Sequence, residues 1–144
     1  MGRRARQSAV GRLAVATPPT ASPSNVFIVD ADQNQRRALA IGLRVHGHHT
    51  EEASAAAECL SHPALREADL IVVARFLPDM SGDELAVRLA RRHPNARIAI
   101  VANEDNETAT PLFAELATAA VLARPLRTED VLSVLAGGLR GSSR

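Results

Sequence analysis

The sequence predicts an α/β fold, a doubly wound, five-stranded parallel sheet held between two layers of helices. Three observations lead there. Four short apolar runs recur along the chain: VFIV at 26–29, LIVVA at 70–74, IAIVA at 98–102 and AVLA at 120–123. Runs this short and continuous suit parallel strands covered on both faces, where the usual alternation is lost. Segments with helical spacing separate them, so strand and helix alternate five times, as in a three-layer αβα sandwich. Finally, the 144 residues are 46% apolar with three Phe and neither Tyr nor Trp, enough for a sizeable core built of Leu, Val, Ile and Ala.

The elements follow in order. Residues 1–24 hold Arg3, Arg4, Arg6 and Arg12, no acidic residue, and Pro18, Pro19 and Pro23 among Ser, Thr and Ala. That composition reads as a disordered basic tail ahead of a domain at 25–140, with 141–144 as a short C-terminal tail. Beyond the first strand, Asp32 is placed to cap a helix over 33–46, which Gly47 stops. Within it Leu39 and Leu43, and Ile41 and Val45, fall at helical spacing. A weaker strand at 48–52 carries the charge and polarity of an edge strand. A short helix at 54–61 precedes the strand at 70–74. Ser81, three residues before Glu84, predicts a capping box opening a helix that buries Leu85, Ala86, Leu89 and Ala90 and ends at Pro94. A second short helix is expected at 109–117. Thr128 opens the last helix, which buries Val131, Leu132 and Leu135 before Gly137-Gly138.

Composition closes off several functions. One cysteine, Cys59, excludes an intramolecular disulfide and a cysteine-based zinc site, and reads as a small packed thiol. The cations are all Arg, which removes lysine chemistry. Scarce aromatics argue against stacking on nucleic-acid bases. No apolar run is long enough to span a bilayer, and 1–24 lacks the apolar core of a secretory signal, so a cytoplasmic location is expected. His48 and His49 are adjacent on a strand and point to opposite faces, which breaks up a metal pair. His46, His62 and His93 fall at helix ends or turns. Glu104-Asp105-Asn106-Glu107 reads as a solvated acidic loop. No Ser/His/Asp arrangement, glycine-rich phosphate loop or helix-turn-helix is visible.

The strand ends carry a more specific pattern. Ile28-Val29-Asp30-Ala31-Asp32 closes the first strand, Leu77-Pro78-Asp79-Met80-Ser81-Gly82 follows the run at 70–74, and Arg124-Pro125-Leu126 follows the last strand. In this register the chain from about 25 to 140 resembles the receiver domain of two-component response regulators, a flavodoxin-like (CheY-like) fold. In that family paired acids after the first strand hold Mg²⁺, and an aspartate ending the third receives phosphate. A hydroxyl residue follows the fourth, and a Lys-Pro with a cis peptide bond follows the fifth. The resemblance therefore implies that Ala74 stands at the phosphoacceptor position and Ala31 at the second acid. Ala102 stands at the hydroxyl residue, Arg124 at the lysine before Pro125, and Val121 at the aromatic whose rotamer reports activation.

These departures have chemical consequences. Forming an acyl phosphate needs a carboxylate nucleophile and an ion that neutralises the transferring phosphoryl group. Ala74 supplies no nucleophile. Of the family's acids only Asp30 remains, since Asp32 is expected to cap a helix; the two would hold a metal weakly at most. We expect no phosphorylation at this site, weak or absent Mg²⁺ binding and no other cofactor. Asp79 and Asp69 lie nearby without a prepared electrostatic setting, and Asp79 reads as a turn residue after Pro78. A buried Asp30 needs a partner, and Arg124 is the candidate because the two strand ends converge; solvation of both charges at the rim is the alternative.

The sequence thus predicts a degenerate receiver, or pseudo-receiver: a non-enzymatic interaction module of two-component phosphorelay signalling that works without aspartyl phosphorylation. The resemblance implies a partner face over 109–136, with Phe113, Leu116, Val121 and Leu126 as apolar contacts. It would receive a histidine kinase, a phosphotransfer protein, another receiver, or a second copy in a homodimer. Two readings stay open beside it. One is an ordinary phosphorylatable regulator with a non-standard acceptor, or an enzyme on the same scaffold. The other is an accessory protein binding nucleic acid or a membrane surface through the Arg-rich tail, although nucleic acid is not the expected partner.

Overall fold

The structure, a computed structural model, describes residues 22–102 and 119–137. In chain order it comprises β1 (Asn25–Val29), α1 (Gln33–Val45), β2 (His49–Ala53), α2 (Ala56–Leu60), a 3-10 helix (Pro63–Glu67), β3 (Leu70–Ala74), α3 (Gly82–Arg92), β4 (Arg97–Ala102), β5 (Ala119–Ala123) and α4 (Thr128–Leu135). The five strands form one parallel sheet in the order β2-β1-β3-β4-β5. The apolar runs became β1, β3, β4 and β5, and the polar run became the edge strand β2. The short 3-10 helix had no counterpart in the predicted elements. The helix expected at 109–117 and the tails, apart from 22–24, lie outside the described residues.

Because successive strand residues face opposite ways, β1, β3 and β4 each feed two cores. Phe27 and Val29, Ile71 and Val73, and Ile98 and Ile100 pack with Cys59 of α2, Leu65, and Leu85 and Leu89 of α3. Val26 and Ile28, Leu70 and Val72, and Ala99 and Val101 pack with Leu39 and Leu43 of α1 and with Val131 and Val134 of α4. β3 is buried along its whole length.

Several helix details differ from the sequence expectation. In α1 the buried residues are Leu39, Ala40 and Leu43, while Ile41 and Val45 are 55% and 76% exposed. Two residues along a helix turn the side chain through about 200°, so the rows 39/43 and 41/45 cannot face one core. At α3, Ser81 Oγ accepts the Glu84 N–H at 3.1 Å, but the Glu84 carboxylate turns to Arg88 at 3.0 Å. Only half of the expected capping box forms. The helix closes at Arg92, two residues before Pro94, and Ala90 is half-buried. In α4 the deepest residues are Val131 and Val134, with Leu132 and Leu135 half-buried. Its N-cap is Arg127, whose N–H donates to the Asp130 carboxylate at 3.0 Å. At its other end, Arg97 reaches from β4 to donate to the carbonyls of Val134 and Leu135 at 2.7 and 3.1 Å, satisfying acceptors that a helix end leaves open. α1 and α4 meet where Gly42 lies against Thr128; a Cβ at position 42 would overlap the threonine side chain.

Candidate functional site

The site lies at the C-terminal ends of the strands, where open α/β sheets place their ligand crevices. β1 delivers Asp30, β3 ends at Ala74, β4 at Ala102, and β5 runs into Arg124 and Pro125. The Arg124–Pro125 peptide bond is cis, the isomer that the family resemblance implies. The strand ends are tied laterally: Arg75 N–H donates to Val101 O and Arg124 N–H to Ala102 O, each at 3.1 Å.

Asp30 and Arg124, 94 residues apart, come together here. Arg124 Nη2 stands 3.2 Å from Asp30 Oδ2, with the two side chains 24% and 13% exposed respectively. The second Asp30 oxygen accepts the Asp32 N–H at 2.9 Å. Arg124 Nη1 also donates to Gln35 Oε1 at the start of α1. One guanidinium therefore ties the end of β1, the first turn of α1 and the β5–α4 connection together. Asp32 does cap α1, accepting the Gln35 N–H at 3.1 Å. Ala31 is exposed, while Ala74 and Ala102 are 1% and 3% exposed.

The loop after β3 keeps its shape without a functional side chain at 74. Gly82 N–H donates to Arg75 O at 2.7 Å, and Phe76 bridges to Ser81. A Cβ on Gly82 would collide with the Ala74 carbonyl oxygen and fall 2.8 Å from Arg75 Cα. That close approach of two backbones explains the glycine. Arg75 pairs with Asp83 at 3.1 Å across the same turn, both largely buried.

Sequence reasoning missed what Asp79 does. Its carboxylate accepts the Ala56 and Ala57 N–H groups of α2, each at 2.9 Å. These bonds, Ala57 first and then Ala56, hold its pKa below the ordinary aspartate value. It is thus a helix cap supplied from a distant loop, where the sequence suggested a turn residue. An aspartate is a good cap by type, but nothing local announces a helix more than twenty residues upstream. Asp69, the other carboxylate weighed as an acceptor, takes the Asn25 N–H at 2.8 Å.

Mg²⁺ binds through several oxygen ligands in near-octahedral geometry. The donor set here does not fit it: Asp30 is engaged by a guanidinium, Asp32 caps a helix, and positions 31 and 74 are methyl groups. Among the described residues, no three His, Cys, Asp or Glu side chains are grouped to hold a metal ion. His48 instead accepts the Ser24 N–H on Nδ1 at 3.0 Å.

Of the residues expected on a partner face, Val121 is 47% exposed, and Leu126 is half-buried against the α1–α4 core. Phe113 and Leu116 lie outside the described residues.

Beside the ion pair, between α1 and the Arg124–Thr128 segment, lies a cleft of about 430 Å³ whose lining includes Ile28, Leu39, Val72, Ala74, Val101 and Leu126.

Among the described residues, no helix is long and apolar enough to cross a membrane. No curated protein matches the sequence. Solved structures of similar fold include a CheY-like receiver domain protein from Methanospirillum hungatei JF-1. It is 24% identical, with a TM-score of 0.68 over 85% of this chain and 98% of that one. A receiver domain from Methylobacillus flagellatus gives 21% identity and a TM-score of 0.69 over 81% and 98%. A Burkholderia pseudomallei response regulator, solved with a phosphorylated aspartic acid, calcium ion and citrate, gives 22% and 0.67 over 83% and 72%. The family model for the response regulator receiver domain matches residues 26–136. With that match, the five-stranded parallel sheet and the cis bond after its last strand, the chain belongs to the response regulator receiver domain family of two-component signalling.

Proposed function

We propose that this receiver domain is a pseudo-receiver: it takes part in two-component signalling as a protein-interaction module, without aspartyl phosphorylation, without Mg²⁺ and without catalysis. The observation that carries this reading is the methyl group of Ala74 at the end of β3, buried beside an Asp30 already paired with Arg124. A phosphoryl acceptor must be a nucleophile set among charges prepared for the transferring group. Here the end of β3 offers no nucleophile, and the remaining carboxylate is held by a cation in place of a metal. Of the other acids, Asp79 accepts two backbone N–H groups of α2, and Asp69 lies at the opposite end of β3, where it accepts the Asn25 N–H.

In this reading the Asp30–Arg124 pair holds the site in one state, and a partner reads that fixed shape. The partner is a histidine kinase, a phosphotransfer protein or another receiver in the cytoplasm, or a second copy of this chain. The test is incubation of the full chain with Mg²⁺ and a small-molecule phosphodonor, followed by intact-mass measurement. We expect no mass gain. A stoichiometric, acid-stable and base-labile phosphate overturns the reading.

A further inference from the structure

The geometry points to the cleft between α1 and the Arg124–Thr128 segment as a binding site for a small amphipathic organic acid: an apolar body carrying one carboxylate. Its volume, about 430 Å³, falls within the roughly 300–1,000 Å³ of small-molecule sites. Small side chains contribute to this space, since Ala38 and Ala74 are both in the lining. The floor is apolar, made by Ile28, Val72 and Val101 of three neighbouring strands.

The charge at the rim selects the ligand. Asp30, Arg36, Arg124 and Arg127 line it. Arg124 is paired with Asp30 at 3.2 Å, and Arg36 with Glu52 at 2.9 Å, a carboxylate it shares with Arg37 at 3.6 Å and Arg44 at 3.9 Å. Arg127 is exposed, and among the described residues its guanidinium makes no ion pair. The lining thus holds three arginines against one aspartate, an excess of positive charge above an apolar floor that suits a monoanion whose tail enters the cleft while its carboxylate meets Arg127 in a charge-assisted hydrogen bond. A neutral ligand of the same shape gains only the floor, and a cationic one is opposed by the rim. This binding requires no phosphorylation chemistry and does not depend on the identity of the protein partner.

The experiment is a titration of the full chain, followed by methyl NMR, with three probes of equal chain length: octanoate, octanol and octylammonium. We expect saturable shifts at the methyls of Ile28, Val72, Val101 and Leu126 with octanoate. Octanol should bind roughly tenfold more weakly, the scale of one hydrogen bond to a charged group. Octylammonium should leave these methyls unmoved. Arg127→Gln should erase the preference for octanoate over octanol. Ala38→Trp, at an exposed position of α1, should abolish the shifts while leaving the helical circular dichroism intact. Absence of saturable shifts at these methyls overturns the proposal. So does equal binding of the three probes, or octanoate binding that survives Ala38→Trp.

Discussion

Replacing Asp30 by Asn and Arg124 by Met, singly and together, measures what the ion pair contributes to stability. Two opposite unit charges 3.2 Å apart attract by about 5 kcal/mol at an effective dielectric constant near 20. Desolvation of both groups opposes that gain, and exposures of 24% and 13% admit solvent screening. The net coupling is then about 1–2 kcal/mol, between the values for exposed and fully buried pairs. Arg124→Met alone should cost the most, about 2 kcal/mol, because it strands a mostly buried carboxylate. Asp30→Asn should cost about 1 kcal/mol, since an amide oxygen still accepts the Asp32 N–H. The double variant should lose less than the sum. With no Trp or Tyr in the chain, urea unfolding is followed by far-UV circular dichroism rather than intrinsic fluorescence. Single losses that add to within about 0.3 kcal/mol in the double variant mean that the charges do not interact, and the tethering role assigned to Arg124 fails.

Gly82→Ala should lower stability by about 1–3 kcal/mol, the cost of overpacking, because the new methyl meets the Ala74 carbonyl and Arg75 Cα; an unchanged urea midpoint refutes the close approach. Burial, aided by the charge of Glu58, pushes the Cys59 thiol up to about 12, so Ellman's reagent should modify it only as fast as the domain opens, and rapid labelling of the folded protein contradicts its packing. Burial, followed by the charges of His46 and His49, lowers the His48 pKa below its ordinary 6.5. The folded state then binds fewer protons than the unfolded state, so stability is full above about pH 6.5 and falls as the pH drops below it. His48→Gln, which can still accept the Ser24 N–H, should reduce that loss in thermal melts across this range; an identical pH profile in the variant argues against it.

The sheet was legible because its evidence is local. Runs such as LIVVA and IAIVA leave no polar residue for a solvent face, and both became fully covered strands. The site was legible for a related reason: strand ends are where the apolar runs stop, so Asp30, Ala74, Ala102 and Arg124 could be placed before any contact was known. Contacts made by long side chains were harder to read. Asp79 looked like a turn residue because its role depends on where α2 lies in space. Glu84 matched a capping box by spacing but found a better partner in Arg88 one turn along. Ile41 and Val45 have the spacing of a buried row, yet only one side of α1 faces the sheet. The cleft left no trace in the sequence, since it arises from small side chains on α1 and β3 meeting a loop that follows β5.

The double hydrogen bond from Asp79 to the start of α2 has a mechanical consequence. It staples the loop after β3 to the helix that follows the edge strand β2, so the two cannot shift independently. A partner that grips the loop thereby pulls on α2, and the amide protons of Ala56 and Ala57 become a gauge of that strain. Their hydrogen exchange reports, from a position away from the Asp30–Arg124 pair, whether binding leaves the loop in place or draws it off.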